Sequence, residues 1–194
     1  MKATALGGLT LACLVAGAAM TFSEQPTPQA NPAGASAGTV RAHADISGDG
    51  ISGTLDAVEL GTGTAREVEV TLKVTGLKPG LHGMHFHAVG KCELPAFTTA
   101  GGHFDPGPFG NADPDANHPF HMGDLPNLRA GSDGTATLKA RTTRVTLSDG
   151  PLSVFDADGT ALIVHANPDQ GITGETKSGV SGGPRIACGV LVRR

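Results

Sequence analysis

The sequence predicts an all-β fold, a Greek-key β-sandwich or barrel of about eight antiparallel strands with two long functional loops. Glycine and proline number 29 and 13 of the 194 residues, and breakers at this frequency disfavour long helices. Short apolar or alternating runs recur between clusters of Gly, Pro, Asp and Asn, which is typical of strands joined by turns. The composition therefore excludes a helical bundle.

The clearest strand lies at 68–74, where valine and leucine alternate with Glu69, Thr71 and Lys73. Alternation with period two places one face of a strand in the core and the other in water. We predict further strands at 40–46, 51–60, 81–89, 134–142, 161–166 and 186–192.

Two Gly-, Pro- and Asp-rich segments interrupt this pattern, at 92–129 and at 167–184. Segments of that length without their own secondary structure are usually functional when they occur inside a compact domain. We therefore expect these two loops to build the functional site.

The chain is expected to have three parts. Residues 1–20 place Lys2 before an apolar, small-residue stretch, which is typical of a secretory signal; a weakly hydrophobic membrane anchor is the alternative. Residues 21–39 have the composition of a disordered linker, and 40–194 form the folded domain. The sequence around Cys13 fits a lipoprotein cleavage site poorly, so lipid anchoring there is disfavoured. We expect an exported protein of the periplasm or cell envelope, with no membrane span in the mature chain.

The charge balance argues against nucleic acid as a partner. The chain has 14 Lys and Arg against 18 Asp and Glu, and no basic run that would neutralise phosphates.

Two cysteines, Cys92 and Cys188, remain once the leader is removed. Exported chains with two cysteines usually pair them, because the compartment is oxidising; two unrelated buried thiols are the alternative. A bridge that closes a loop of about 100 residues would stabilise the fold by at most ~4.7 kcal/mol in the chain-entropy model.

Histidines carry the metal-binding potential of the sequence. His85 and His87 stand two apart in a predicted strand, so both imidazoles point to one face while Phe86 points into the core. His103 opens the first loop, and His165 ends an apolar strand where the second loop begins. Two strand histidines and one from each loop can form a nitrogen-only tetragonal site, which suits Cu(II). Any one of them, taken alone, is more often a hydrogen-bonded core or surface residue.

Five ordered segments carry a resemblance to a known family: GMHFHAVGKC at 83–92, AGGHFDP at 100–106, HMGDLPNL at 121–128, VHA at 164–166 and GPRIACGV at 183–190. Together they resemble a bacterial exported copper,zinc superoxide dismutase, and they cover nearly all of 40–194. The resemblance implies an enzyme that disproportionates the superoxide anion to dioxygen and hydrogen peroxide. Copper and zinc are the implied cofactors, with no organic cofactor.

The resemblance also implies roles for individual residues. His85, His87, His103 and His165 would bind copper, with His103 as the imidazolate shared with zinc and the route for protons. Arg185 would flank the copper and attract the anion; an unremarkable surface arginine is the alternative. His103 and Arg185 are thus the implied catalytic residues.

The zinc site departs from the family pattern. The family binds zinc with the bridging histidine, two further histidines and an aspartate, and His121 and Asp124 match the last two. Ala112 stands where the remaining histidine should be, and His118 is the nearest spare imidazole. A turn at 118–121 would allow both histidines to face one ion. We therefore favour zinc bound by His103, His118, His121 and Asp124 over a copper-only enzyme.

Asp169 matches the acidic residue that links ligand histidines of the two sites in the family, although an aspartate that caps a turn is the alternative. His43 and His82 match no ligand position, and we expect them to be solvated or locally hydrogen-bonded.

Two other functions stay open from the sequence. One is a copper-binding or copper-buffering protein on the same fold without significant turnover, which gains nothing from an anion-guiding Arg185. The other is a structural or adhesion sandwich without metal, which leaves the histidine pattern unexplained. The sequence also leaves a homodimer open.

Overall fold

The computed structural model describes residues 39–107, 110–116 and 118–194. The expected secretory signal, Cys13 and nearly all of the expected linker lie outside the described residues. Over the described part of the chain, we find no helix that is both long and apolar enough to cross a membrane.

The described residues form ten strands in one antiparallel sheet. They are β1 (Arg41–Gly48), β2 (Ile51–Leu60), β3 (Glu67–Thr75), β4 (Gly80–His82), β5 (Met84–His87), β6 (Leu128–Ala130), β7 (Ala136–Thr142), β8 (Ala161–His165), β9 (Arg185–Val190) and β10 (Val192–Arg193). Their order is β4-β6-β7-β3-β2-β1-β9-β8-β5, and β10 pairs with β1. This nearly closed antiparallel barrel confirms the predicted all-β Greek-key class.

The core follows from the period-two pattern of the strands. On β3 every second residue from Val68 to Val74 is buried. Leu72 lies opposite Leu55 on β2 and Leu138 on β7, so three neighbouring strands contribute to one apolar layer. Each fully buried valine or leucine stabilises the fold by roughly 1.5–3 kcal/mol. This apolar layer is part of the core of the barrel that carries the two long loops.

The predicted strand at 81–89 is divided into β4 and β5 at Gly83. The Gly83 amide donates to the Asn167 carbonyl (2.8 Å), and the Gly83 carbonyl accepts from the His165 amide (2.8 Å). A Cβ at position 83 would lie 3.2 Å from Asp169, closer than most Cβ contacts. The glycine therefore brings β5 close to the second loop.

The short strands β6 and β10 differ from the sequence-based prediction. β6 lies at the end of the segment predicted as loop, where it pairs with β4 and β7. With two or three residues each, these strands are too short for a periodic signal, so only their partners define them.

The disulfide between Cys92 and Cys188 confirms the predicted pairing, with a Cα–Cα distance of 5.7 Å. Cys188 belongs to a small buried cluster with Phe97, Ala100 and Ile163. The bridge fixes the start of the first loop to β9, the strand that begins with Arg185.

The two long loops are also tied to each other. The Asp115 carboxylate accepts hydrogen bonds from the amides of Gly179 (2.9 Å) and Ser181 (3.1 Å) and from the Ser181 hydroxyl (2.9 Å). Thr176 donates to Asp113 (2.8 Å). The two loops are therefore held together by a network of hydrogen bonds.

Candidate metal centre

Four histidines converge between β5, β8 and the first loop. His85 and His87 lie on β5, His103 bridges the His87 backbone from the first loop, and His165 ends β8. One ring nitrogen of each lies within 4.8 Å of one nitrogen of every other. At most 2% of any of these residues is exposed. The structure thus assembles the four-nitrogen group expected from the sequence.

Each of these imidazoles has one nitrogen fixed by the protein. His87 Nδ1 donates to the Gly101 carbonyl (3.0 Å), and His165 Nδ1 donates to the Gly183 carbonyl (2.9 Å). The other nitrogens, His85 Nδ1 and the Nε2 atoms of His87, His103 and His165, have no hydrogen-bond partner among the described residues. Buried polar atoms without partners are costly, so four of them together indicate a metal-binding site.

A second group adjoins the first at Asp124. His103 Nδ1 lies 2.9 Å from Asp124 Oδ1, and the Nδ1 atoms of His118 and His121 each lie 3.3 Å from Asp124 Oδ2. His103 Nδ1 and His121 Nδ1 are 3.3 Å apart. Three imidazoles and one carboxylate form a donor set that suits tetrahedral Zn²⁺.

His85 also lies close to the second group. Its ligand atom falls within 4.8 Å of those of His103, His118 and Asp124. However, His85 Nε2 donates to Asp169 (2.9 Å), which leaves one nitrogen for a single ion. His121 contacts the same Asp124 oxygen as His118, but it is not among the four residues whose ligand atoms all lie within 4.8 Å of one another at this point, namely His85, His103, His118 and Asp124.

His103 belongs to both groups. Its Nε2 is one of the four unpartnered nitrogens of the first group, while its Nδ1 faces Asp124 and His121 in the second. One imidazole therefore has one nitrogen in each of the two groups.

Asp169 links the groups from the outer side. Its Oδ2 accepts from His85 Nε2 (2.9 Å), and its Oδ1 accepts from His118 Nε2 (2.6 Å). Asn127 holds the Asp169 backbone with two bonds of 2.8 Å, one in each direction. Such partners set the orientation of ligand imidazoles.

Ala112 has a backbone role instead of a ligand role. Its carbonyl accepts the His103 amide (2.9 Å), and a Cβ at Gly102 would overlap that carbonyl oxygen. The loop is thus closely packed at this point. The imidazole that reaches Asp124 and Asp169 comes from His118, further along the same loop.

Burial sets the protonation of the first group. It lowers the pKa of His85, lowers the pKa of His87 and His165 well below the usual value, and lowers the pKa of His103 to about 3. These four imidazoles are therefore neutral at pH 7, which is the form that binds metal.

Charge balance dominates the second group. Burial opposes a charge on His118, but the carboxylates of Asp124 and Asp169 outweigh it and raise the pKa of His118 to about 9. Burial likewise raises the pKa of both aspartates, yet their bonds with the histidines hold each pKa well below its usual value. Without metal, a cationic His118 therefore neutralises part of this carboxylate charge.

Arg185 lies beside the first group. Its Nη1 donates to the Phe97 carbonyl (2.8 Å) and its Nη2 to the Gly101 carbonyl (2.6 Å). Burial lowers the pKa of Arg185, but an arginine remains charged at pH 7. Arg185 and His165 line one cleft of about 400 Å³, and Lys177, Asp113 and Asp115 add one further cation and two carboxylates to its lining.

Several contacts of the site were not predicted from the sequence. Asn127 stands inside a family-like segment but without a predicted role. Arg144 and Thr173 carry no signal in the sequence, because their side chains bond only backbone carbonyls of 118–121.

His82 is buried and bonded to the carbonyls of Lys78 and His165 (2.8 Å each), and is therefore not solvated.

His43, the other histidine without a predicted ligand role, bonds the carboxylates of Asp56 (2.8 Å) and Asp45 (3.2 Å). It is a locally hydrogen-bonded histidine of β1.

Comparison with known proteins places the chain in one family. The family model for copper/zinc superoxide dismutase matches residues 51–191. The chain is 42% identical over 149 residues to superoxide dismutase (Cu-Zn) 2 of Brassica juncea, covering 75% of this chain and 91% of that protein. It is 40% identical over 129 residues to the copper,zinc superoxide dismutase of Caulobacter vibrioides, covering 64% and 71%.

Solved structures show the same fold. A SOD-like protein from Bacillus subtilis superimposes with a TM-score of 0.64 at 29% identity, covering 77% of this chain and 97% of that one. The clock protein EA4 superimposes with a TM-score of 0.64 at 26% identity, covering 82% and 98%. With more than half of its residues matched by the family model and a fitting set of copper and zinc donors, the chain belongs to the copper/zinc superoxide dismutase family.

Proposed function

We propose that this protein is an exported enzyme that disproportionates superoxide to dioxygen and hydrogen peroxide. In this proposal His85, His87, His103 and His165 hold copper, and the second group holds zinc. The observation that carries it is the position of His103, with Nε2 in the first group and Nδ1 in the second. A chain that only stores copper has no need of an imidazole shared between two ions.

Copper bound by four imidazoles supplies one-electron redox chemistry between Cu(II) and Cu(I), so that one superoxide is oxidised to dioxygen and a second, with two protons, is reduced to hydrogen peroxide. The protein must admit the anion, provide protons and hold the geometry.

Arg185 is proposed to bind the anion. Two of its five N–H groups are fixed by the Phe97 and Gly101 carbonyls, so the guanidinium is oriented while other donors remain. The chain has a formal net charge of −4, and attraction must therefore be local. Arg185 and Lys177 line the cleft together with Asp113 and Asp115, so the attraction is assigned to the Arg185 guanidinium beside His165 and not to the charge of the whole cleft.

His103 is proposed to hold a transferable proton at Nε2. This nitrogen lacks a partner among the described residues, whereas Nδ1 is fixed beside Asp124. Asp169 keeps the imidazoles of His85 and His118 in fixed orientations from outside. The two metal groups then share one rigid frame.

Fold alone does not settle activity, since the neighbours in fold space include proteins described as SOD-like and as a clock protein. The proposal therefore rests on the donor atoms and on Arg185. Copper buffering without turnover is the alternative that the first experiment separates.

Export is part of the proposal. The disulfide suits an oxidising compartment, and the similar Caulobacter vibrioides protein is bacterial. We assign residues 1–20 to a removed signal, 21–39 to a linker and 40–194 to the enzyme domain, in the periplasm or cell envelope.

His87→Ala tests the copper group. His87 bonds Gly101 but neither Asp124 nor Asp169, so its loss should leave the second group intact. We expect copper affinity to fall by more than the ~10–100-fold typical of an outer-sphere partner, and activity to fall with it. Metal analysis and superoxide consumption of purified protein measure both, with His43→Ala as the control. Activity at the wild-type level in His87→Ala would refute the copper assignment. If the wild-type protein binds copper but does not consume superoxide, it is a copper-buffering protein.

His118→Ala tests the zinc group. The variant removes one of four donors, so we expect zinc to become substoichiometric while copper stays bound. Metal analysis after reconstitution with both ions is the measurement, and His43→Ala again serves as the control. Stoichiometric zinc in the variant, or zinc absent from both proteins, would show that His118 does not replace the ligand missing at Ala112.

Arg185→Glu tests the anion site. We expect the second-order rate with superoxide to fall by about tenfold or more, because the variant repels the anion, while copper content is unchanged. The wild-type rate should decrease with added salt more steeply than the variant rate. Arg185→Lys, which keeps the charge, should keep the wild-type salt slope. Equal slopes for wild type and Arg185→Glu would remove Arg185 from this role.

The metal-free protein should lose stability on acidification. Below pH 6.5 the unfolded chain binds protons at His87, His103 and His165 that the folded chain does not, so the free energy of unfolding falls. His103, with a folded pKa of about 3, contributes about 2 kcal/mol of this loss at pH 5. His118 has the opposite effect, because its pKa is higher in the folded chain than in the unfolded chain. The stability that it contributes to the fold is complete below pH 6.5 and is lost as the pH rises through 9.

Denaturant unfolding at pH 7 and pH 5 measures this effect. His118 offsets about 1 kcal/mol between these values, so a net loss of about 1 kcal/mol should remain from His103, and His87 and His165 add to it. His87→Gln should show a smaller loss of unfolding free energy than wild type. Equal stability at the two pH values would show that the histidines are not buried in the neutral form.

A further inference from the structure

The segment 118–121 places two imidazoles at the second metal group with little packing of its own. His118 and His121 are fully buried, whereas Phe120 between them is 66% exposed. An exposed phenyl ring does not fix a backbone, so the orientation of both imidazoles depends on what holds their carbonyl groups.

Two residues from outside the segment hold these carbonyls. Thr173 of the second loop donates its hydroxyl to the His118 carbonyl (2.7 Å). Arg144 donates from Nη1 to the carbonyls of Pro119 and His121, at 3.1 Å each. Arg144 therefore bonds the backbone of the segment on both sides of Phe120.

Arg144 connects the segment to the barrel. It stands just beyond β7, and its amide donates to the Thr142 hydroxyl (3.1 Å) at the end of that strand. Pro119, Asp124 and Arg144 line one cavity of about 580 Å³, so open space adjoins the segment where Arg144 reaches it. The guanidinium therefore reaches the segment at the edge of this cavity and bonds two of its carbonyls.

We infer that Arg144 is a positioning residue for zinc, which fixes the backbone of 118–121 so that His118 and His121 can face one ion with Asp124. This inference rests on the zinc half of the proposed function. Arg144 touches no ligand side chain in the described contacts, so it acts through the backbone. It sets the affinity of the second group and leaves the four-histidine group unaffected.

Arg141 provides a matched control. It is an arginine that lines the same cavity, but it pairs with Glu67 (2.7 Å) and Glu69 (2.9 Å) on β3 instead of the segment. Arg141→Met and Arg144→Met remove the same charge and keep an unbranched stem. Only the second removes the donors to the Pro119 and His121 carbonyls.

The experiment measures zinc affinity of the full chain by competition with a chelator, and the visible spectrum of Co²⁺ bound in place of zinc. Arg144→Met should bind zinc about 10–100-fold more weakly than wild type and show an altered Co²⁺ spectrum. Arg141→Met should match wild type, and Arg144→Lys should recover part of the affinity, since an ammonium can also donate to carbonyls. Copper content should be equal in all four proteins.

The outcomes separate the inference from the proposed function. Zinc affinity in Arg144→Met within twofold of that in Arg141→Met, with an unchanged Co²⁺ spectrum, would overturn the role of Arg144 while wild-type zinc binding stands. Absence of zinc from wild type would instead refute the zinc half of the proposed function. If Arg144→Met does not fold, Arg144→Gln against Arg141→Gln gives the same test, since both remove a guanidinium and stay polar, and equal zinc affinities would overturn the inference.

Discussion

The burial of four imidazoles, that of His103 among them, is the constraint on which the rest of the structure depends. Each leaves one ring nitrogen buried without a hydrogen-bond partner among the described residues: His85, His87, His103 and His165. An unsatisfied buried polar group costs about 1–3 kcal/mol, so four cost roughly 4–12 kcal/mol, comparable with the whole stability of a domain. Bound metal removes this cost, and without it the barrel core, the disulfide and the carboxylates must offset it.

The two carboxylates contact different sets of the buried imidazoles. Asp124 lies among three imidazoles of the second group, while Asp169 joins His85 to His118 across the two groups. Because His118 contacts both carboxylates, a proton on it stabilises the empty second group, and a divalent cation can take the place of that positive charge. The same contacts that orient the ligands thus also balance charge in both states, which favours a preformed site over one assembled by the metal.

The scaffold brings chain segments of very different sequence position to this centre. β5 and β8 pair directly, so their histidines begin on neighbouring strands. The disulfide fixes the start of the first loop to β9, and Asp115 fastens the first loop to the second. These contacts also fix the position of Arg185, because it begins β9 and bonds the Phe97 and Gly101 carbonyls of the first loop. The geometry of the cleft is therefore coupled to the same elements that hold the ligands.

The sequence by itself determined the fold class, the bounds of β2, the pair His85 and His87 on one strand face, and the cysteine pair, since these depend on local periodicity and composition. Tertiary structure alone decided the division of the strand at Gly83, the short strands β6 and β10, and the arrangement of His118, His121 and Asp124 around one point. Family pattern proposed His118 only as the nearest spare histidine. His118 contacts Asp124 and Asp169 through its side chain, and the side chains of Arg144 and Thr173 bond the carbonyls of its segment. These contacts join residues that are distant in the chain, so they leave no periodic pattern in the sequence.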